Sequence, residues 1–182
     1  VLRESILVGT LLTCSEAWYN LTETDLLQLE QVDKALWCSQ LEVSSTVPYD
    51  LVCLELGLEP LRYILMKRRH IYLQHILKQK ETSLVKQFLM TQLIDPKKKD
   101  WVKTAQDNLK ELEIIFTMNE IEEMPKQTYK KIIKKSIKER SLEYLLGKRN
   151  KRNGKGMEIV YSKLKMQNYL VTEDLNIPNF ER

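Results

Sequence analysis

The chain has 182 residues, of which 43% are hydrophobic and 30% charged, with five Gly, five Pro and a net charge of +4. That length carries one sizeable domain, or one domain plus an extension, and the scarcity of helix breakers points to a mostly helical chain. Three widely spaced cysteines, Cys14, Cys38 and Cys53, exclude a disulfide frame or a C-x-x-C zinc site and suit buried thiols in a reducing compartment. No uncharged run approaches membrane-spanning length. The start, VLRESILVGTLLTC, holds charges and lacks a basic leader, so no signal peptide is expected. Val1 at one end and Phe180-Glu181-Arg182 at the other read as cuts through a longer protein.

The net charge hides an asymmetry. Residues 1–59 hold 2 Lys and Arg against 10 Asp and Glu, whereas residues 126–165 hold 14 against 3. Such a split suggests a polyanion partner on one side only.

In chain order, residues 2–18 read as a buried helix, because Leu7, Leu11, Cys14 and Trp18 recur at helical spacing. Thr22 with Asp25 three residues on resembles a capping box for a helix over about 23–39. Its acids lie early, where the helix dipole favours them. Val43 to Pro48 is a turn, and a short helix over about 48–56 stops at Gly57. Next comes the stretch around which the chain is organised, Glu59 to Gln79 (EPLRYILMKRRHIYLQHILKQ), a long helix opened by Pro60. One stripe joins Leu61, Ile64, Leu65, Ile71, Tyr72 and Ile76; a second joins Tyr63, Met66, Leu73 and Leu77. Arg62 with Arg69, and Lys67 with Gln74 and Lys78, leave two narrow polar edges. A helix apolar nearly all round sits inside something.

Arg68 and His75 fall within the main stripe. Either Arg68 lays its stem on the core and pairs with Glu55 or Glu59, or the Lys67-Arg68-Arg69 edge faces nucleic-acid phosphate. Lys80 to Ser83 turn the chain, and Leu84, Val85, Phe88 and Leu89 line a short helix. A basic loop, Asp95 to Lys99, includes Lys97, Lys98 and Lys99. Asp100 then caps a helix with the stripe Val102, Ala105, Leu109, Leu112 and Phe116. Residues 117–125 mark a subdomain boundary closed by Pro125.

The helix over about 126–146 sets Tyr129, Ile132, Ile133, Ile137 and Tyr144 on one face. Lys130, Lys131, Lys134, Lys135 and Lys138 fill the other. Leu142, Leu145 and Leu146 reappear on that opposite face, which means a second contact there or an earlier helix end. Gly147 to Gly156, with Arg149 and Arg152, reads as a flexible basic loop. A weakly periodic helix over 157–170 and an extended exit follow.

Catalytic motifs are missing: no Gly-rich phosphate loop, G-x-S-x-G, H-E-x-x-H or metal-binding Asp pair occurs. His70 and His75 lie on different helical faces and read as core or surface residues. What remains is electrostatic. Lysines at i, i+4 and i+8 can follow a phosphate backbone, with binding that is salt-dependent and blind to sequence. The same face could simply be solvated, and the basic loop could serve as a nuclear-import signal.

Several runs appear in a recognisable order: S-E-A-W-Y-N-L-T (Ser15 to Thr22), L-x-x-x-D (Leu29 to Asp33) and S-S-T-x-P (Ser44 to Pro48). They continue with L-E-L-G-x-x-P-L-R-Y (Leu54 to Tyr63), R-R-x-x-Y-L-x-x-I-L (Arg68 to Leu77), K-K-D-W (Lys98 to Trp101) and K-L-K-M-Q-x-Y-L (Lys163 to Leu170). Together they resemble the region after the polymerase core in reverse transcriptases of LINE-type (non-long-terminal-repeat) retrotransposons. The resemblance implies a helical thumb and linker that grip a template–primer hybrid. The palm with its aspartates and its magnesium would lie in a missing upstream part, and a zinc knuckle downstream. No catalytic residue carries over, and the segment is not expected to be active alone.

The expected fold is all-α: a multi-helix bundle with a basic C-terminal helical extension. Residues 1–117 would form the thumb-like domain and 118–182 the extension. The expected partners are RNA/DNA template–primer and the remainder of the polyprotein, with no membrane, no small-molecule substrate and no cofactor of its own. The expected location is intracellular, nuclear and cytoplasmic. The candidate contacts are Lys67, Arg68, Arg69, Lys97, Lys98, Lys99, Lys130, Lys131, Lys134, Lys135, Lys138, Arg149 and Arg152. The rival readings are a helical protein-interaction module that docks a basic partner on Glu23, Glu30 and Asp33, and a decayed transposon fragment with no function of its own.

Overall fold

A computed structural model describes residues 9–95 and 100–150, the side chains of 149 and 150 excepted. Among the described residues the chain is all-α, with no strand. A 3-10 turn at Ser15–Ala17 precedes α1 (Glu23–Gln40), α2 (Tyr49–Leu56), α3 (Leu61–Leu77) and α4 (Leu84–Ile94). Then come α5 (Trp101–Glu111), α6 (Met118–Glu123) and α7 (Lys126–Asn150).

The boundaries follow local chemistry. Thr22 accepts from the Asp25 N–H while the Asp25 carboxylate accepts from the Thr22 N–H at 2.8 Å, the capping box expected for α1. Thr117 and Glu120 repeat the device at α6. Gly57 takes φ 62° at the end of α2, a left-handed conformation open to glycine at little cost. Pro60 stands one place before α3, as its N-cap.

α3 is the axis of the molecule, packed against the 3-10 turn, α1, α4, α5, α6 and α7. One of its faces joins Tyr63, Met66, Leu73 and Leu77 to Leu89 of α4, Val102, Ala105 and Leu109 of α5, Ile121 of α6, and Tyr129, Ile133 and Ile137 of α7. Another joins Leu61, Ile64 and Leu65 to Leu12, Trp18 and the Leu26, Leu29 and Leu36 stripe of α1. Each fully buried aliphatic side chain here contributes about 1.5–3 kcal/mol. The first cluster runs unbroken across residues 117–125, where a boundary was expected. Gln74, buried on α3, donates to the carbonyls of Ile121 and Met124, both at 3.0 Å, and so ties α6 to the core.

The stripe on α7 explains its two contacts. Tyr129, Ile133, Ile137, Ser141 and Leu145 are all buried and lie four residues apart. An i+4 row drifts around a helix of 3.6 residues per turn. α7 therefore begins on α3 and ends on α2, where Leu145 packs against Cys53 and Leu54. The apolar residues near the end of α7 thus mark a second contact, not an early stop. The helix runs through Gly147 to Asn150, where a flexible loop was expected.

On the N-terminal side the expectation fails. Residues 2–8 lie outside the described residues, and 9–18 do not continue as a regular helix. Cys14 sits at φ 57°, and the Leu12 carbonyl accepts from the Ser15 N–H and from Arg68 instead of continuing a helical ladder. Cys14 is exposed, while Cys38 and Cys53 are the buried thiols expected. The four apolar residues expected on the short helix all lie in α4; Leu89 is buried, and Leu84, Val85 and Phe88 are exposed. The loop 96–99 and everything after Asn150 lie outside the described residues.

The Tyr129 hydroxyl is fully buried with no hydrogen-bond partner, and its burial pushes the phenol pKa up. An unsatisfied buried hydroxyl costs about 1–3 kcal/mol. Tyr129→Phe is therefore expected to leave stability unchanged or raise it by up to about 1 kcal/mol, read from the urea midpoint. A loss above that would mean that the hydroxyl has a partner.

Candidate nucleic-acid interface

Of the cations of α3, Arg69 is buried and Arg62, Lys67 and Arg68 are half-buried, each with a protein partner. Arg62 reaches α1, with Nε 2.9 Å from Glu30 and Nη2 2.8 Å from Glu23. Burial lowers its pKa, but the hydrogen bonds to Glu30 and Glu23 outweigh that and raise it overall. Its guanidinium also lies 4.8 Å from the centre of the Tyr144 ring on α7. Lys67 pairs with Glu59. Arg68 donates to the Leu12 carbonyl and to the Ser15 hydroxyl. Arg69 is only 4% exposed and donates to Asn108 of α5 and to the Trp18 carbonyl at 2.8 Å.

Of the three residues read as phosphate contacts, Arg69 is buried, and Lys67 and Arg68 are half-buried with protein partners. Arg68 and Arg69 link α3 to the N-terminal turn and to α5, while Lys67 pairs with Glu59 just before its own helix. Arg68 was expected to meet Glu55 or Glu59 if buried; Lys67 is the residue that takes Glu59. His75, placed in the apolar stripe, is exposed and stacks on Tyr72 at 6.2 Å.

The acids of the N-terminal third are similarly engaged. Glu30 and Asp33 are buried, the first on Arg62 and the second accepting from the Tyr49 hydroxyl at 2.7 Å. Tyr49 in turn accepts from the Leu61 N–H at 3.2 Å, which satisfies a backbone donor in the first turn of α3. Glu23 sits on Arg62. The docking reading based on these three acids thus finds them turned to the interior or already paired.

α7 is different. Lys131, Lys134 and Lys135 are exposed, and Lys130 and Lys138 half-buried at the edges of the same face. Among the described residues none of the five makes an ion pair. Lys130, Lys134 and Lys138 are spaced about 6 Å apart along the axis. That is close to two steps of a duplex strand at about 3.4 Å each. Burial of Tyr129, Ile133 and Ile137 fixes the rotation of the helix, so the lysines are presented on a rigid element. Lys97, Lys98, Lys99 and Arg152 lie outside the described residues, as does the side chain of Arg149.

The cation missed by sequence reading is Lys86. It is buried at the foot of α4, 2.6 Å from Glu81 and 2.8 Å from Glu122. Its pKa is raised by the hydrogen bonds to Glu122 and Glu81. The signal was there: Lys86 is the one charged residue in LVKQFLMTQLI. Among the described residues no group of three His, Cys, Asp or Glu is placed to hold a metal, and no helix is long and apolar enough to cross a membrane. No protein-family model matches the chain, and neither curated proteins nor solved structures include a match.

Two predictions follow from the partnered cations of α3 and their neighbour His70. Arg69→Ala leaves Asn108 and the Trp18 carbonyl without their donor and should cost about 3 kcal/mol in urea unfolding. Lys134→Ala, on the exposed face, should stay within about 0.5 kcal/mol of wild type; equal losses would contradict the division. His70 is fully buried with neither ring nitrogen partnered, and desolvation, helped by Arg69, lowers its pKa from 6.5 to about 3. The unfolded chain therefore binds the extra proton between those values, so stability is retained above 6.5 and lost as pH falls towards 3. From pH 7 to pH 5 this one group should remove about 2 kcal/mol. Urea midpoints of His70→Leu should show a correspondingly weaker acid slope; an unchanged slope would exclude His70 as the source.

Proposed function

We propose that this chain is a non-catalytic, nucleic-acid-gripping helical segment, with the lysine face of α7 as its phosphate contact. The observation that carries the reading is the row of lysines on α7 that have no ion pair among the described residues, whereas the cations of α3 have protein partners. Lys131, Lys134 and Lys135 contact successive phosphates, and Lys130 and Lys138 extend the track. Each contact releases counterions and carries no sequence information.

The sequence resemblance supplies the setting: the thumb and linker of a LINE-type reverse transcriptase, holding a template–primer hybrid beside a polymerase palm on the same polyprotein. In that setting the palm contributes the aspartates and magnesium, and no bond-making step belongs to the residues described here. α3 and the helices around it act as the frame that keeps α7 straight and correctly turned.

The test is the affinity for an RNA–DNA hybrid of defined length, measured by fluorescence anisotropy between about 50 and 200 mM salt. The triple variant Lys131→Ala, Lys134→Ala, Lys135→Ala should weaken binding and reduce the slope of log affinity against log salt by about 3, one unit per lost phosphate contact. Its far-UV circular dichroism and urea midpoint should match wild type. An unchanged slope, or affinity indifferent to salt, contradicts the proposal.

A further inference from the structure

α3, α4 and the start of α5 border a hollow of about 350 Å³. Four aromatic residues stand around it: Tyr72 on α3, Phe88 on α4, Trp101 at the start of α5, and Tyr19 just after the 3-10 turn. Gln92 and Asp100 are its polar members, and the rest of the lining is aliphatic. Among the described residues no Lys, Arg or His lines it.

Two of the walls are fixed. The Tyr72 and Trp101 rings stand at 90° to each other with their centres 6.0 Å apart. Both are half-buried against the core, and the Trp101 indole N–H donates to the Glu16 carbonyl at 2.9 Å. Tyr19 and Phe88 are the more exposed pair, at 54% and 65%. Gln92 is engaged already, its Oε1 accepting from the Val102 N–H at 3.3 Å. The chemistry on offer is therefore that of four rings and one carboxylate.

Aromatic faces carry partial negative charge, and Asp100 adds a full one. An anion is repelled from such a hollow. A bare ammonium is strongly hydrated and gives up its water at a cost. A methylated ammonium satisfies both sides of the site, because its charge is attracted by the ring faces and its methyl groups pack on them. We propose that this hollow is a binding site for a methylated ammonium group, with Tyr72 and Trp101 as perpendicular walls, Tyr19 and Phe88 as the outer rings and Asp100 as the counter-charge. Its volume lies at the lower end of the about 300–1,000 Å³ of ligand sites, which suits a headgroup with a short stem. Free choline and the side chain of a trimethylated lysine share this chemistry. None of the lining residues belongs to α7, so the site stands apart from the lysine row.

The experiment is a choline titration of the full chain, followed on the Trp101 indole N–H signal by proton–nitrogen NMR. Choline is expected to bind with a dissociation constant on the order of 1 mM. Dimethylbutanol, its uncharged carbon isostere, should bind at least about tenfold more weakly. Phe88→Leu keeps an apolar side chain but removes a ring, and should weaken choline by about two- to fivefold. Asp100→Asn keeps a good N-cap residue and should weaken choline while leaving the isostere unchanged. Both variants should retain the wild-type circular dichroism. A trimethyllysine amide that binds more tightly than choline assigns the site to a modified lysine, and the reverse order assigns it to choline; either supports the proposal. Equal affinity for choline and its isostere, no shift of the Trp101 signal, or choline affinity unchanged in both variants overturns it.

Discussion

The constraint on which the structure depends is the enclosure of a cationic helix. α3 carries Arg62, Lys67, Arg68 and Arg69 within eight residues, yet it packs against six other elements. An uncompensated charge in such a position would cost several kcal/mol. Each cation therefore needs a partner supplied by a surrounding element, and those partners hold the surrounding elements in place. Glu30 binds α1 to α3, the Leu12 and Trp18 carbonyls bind the irregular N-terminal turn, and Asn108 binds α5. Hydrophobic burial drives the helices together; these polar links determine which helix lies where.

The same constraint accounts for much of the charge asymmetry. The N-terminal third is acidic partly because α3 requires it: Glu23, Glu30 and Glu59 are matched to arginine and lysine on that helix. Among the described residues no acid pairs with the lysine row of α7. Arg140, on the same helix, pairs with Glu113 and Glu143. Among the described residues, the lysines of α7 thus form an outward row of positive charge.

Much of this was legible in the residues. Thr22 with Asp25, Gly57, and the stripe of Val102, Ala105, Leu109 and Leu112 each report a local requirement that tertiary packing leaves unchanged. The two apolar stripes of α3 correctly indicated a helix inside the bundle. The direction of its cations was not legible, because helical periodicity gives the angle of a side chain and not how many elements surround it. Long Arg and Lys stems let the head group find a carbonyl or carboxylate well away from the backbone position. The irregular turn before Trp18 was missed for a related reason: the Leu12 carbonyl is held by Arg68, which lies more than fifty residues away in sequence. The composition of α4 indicated a helix but not which side of it is buried: Leu89 is, whereas Leu84 and Phe88 lie outside.

The central claim is a division of labour between partnered cations on α3 and outward cations on α7. Residue-level covalent labelling read by mass spectrometry tests it directly, with a lysine acylating reagent and an arginine-selective dicarbonyl applied to the native chain with and without an RNA–DNA hybrid. The account requires Lys131, Lys134 and Lys135 to label readily and to be shielded by the hybrid, while Arg69 stays unlabelled in both states. Rapid labelling of Arg69 in the folded protein, or lysines on α7 that react equally with and without the hybrid, would contradict it.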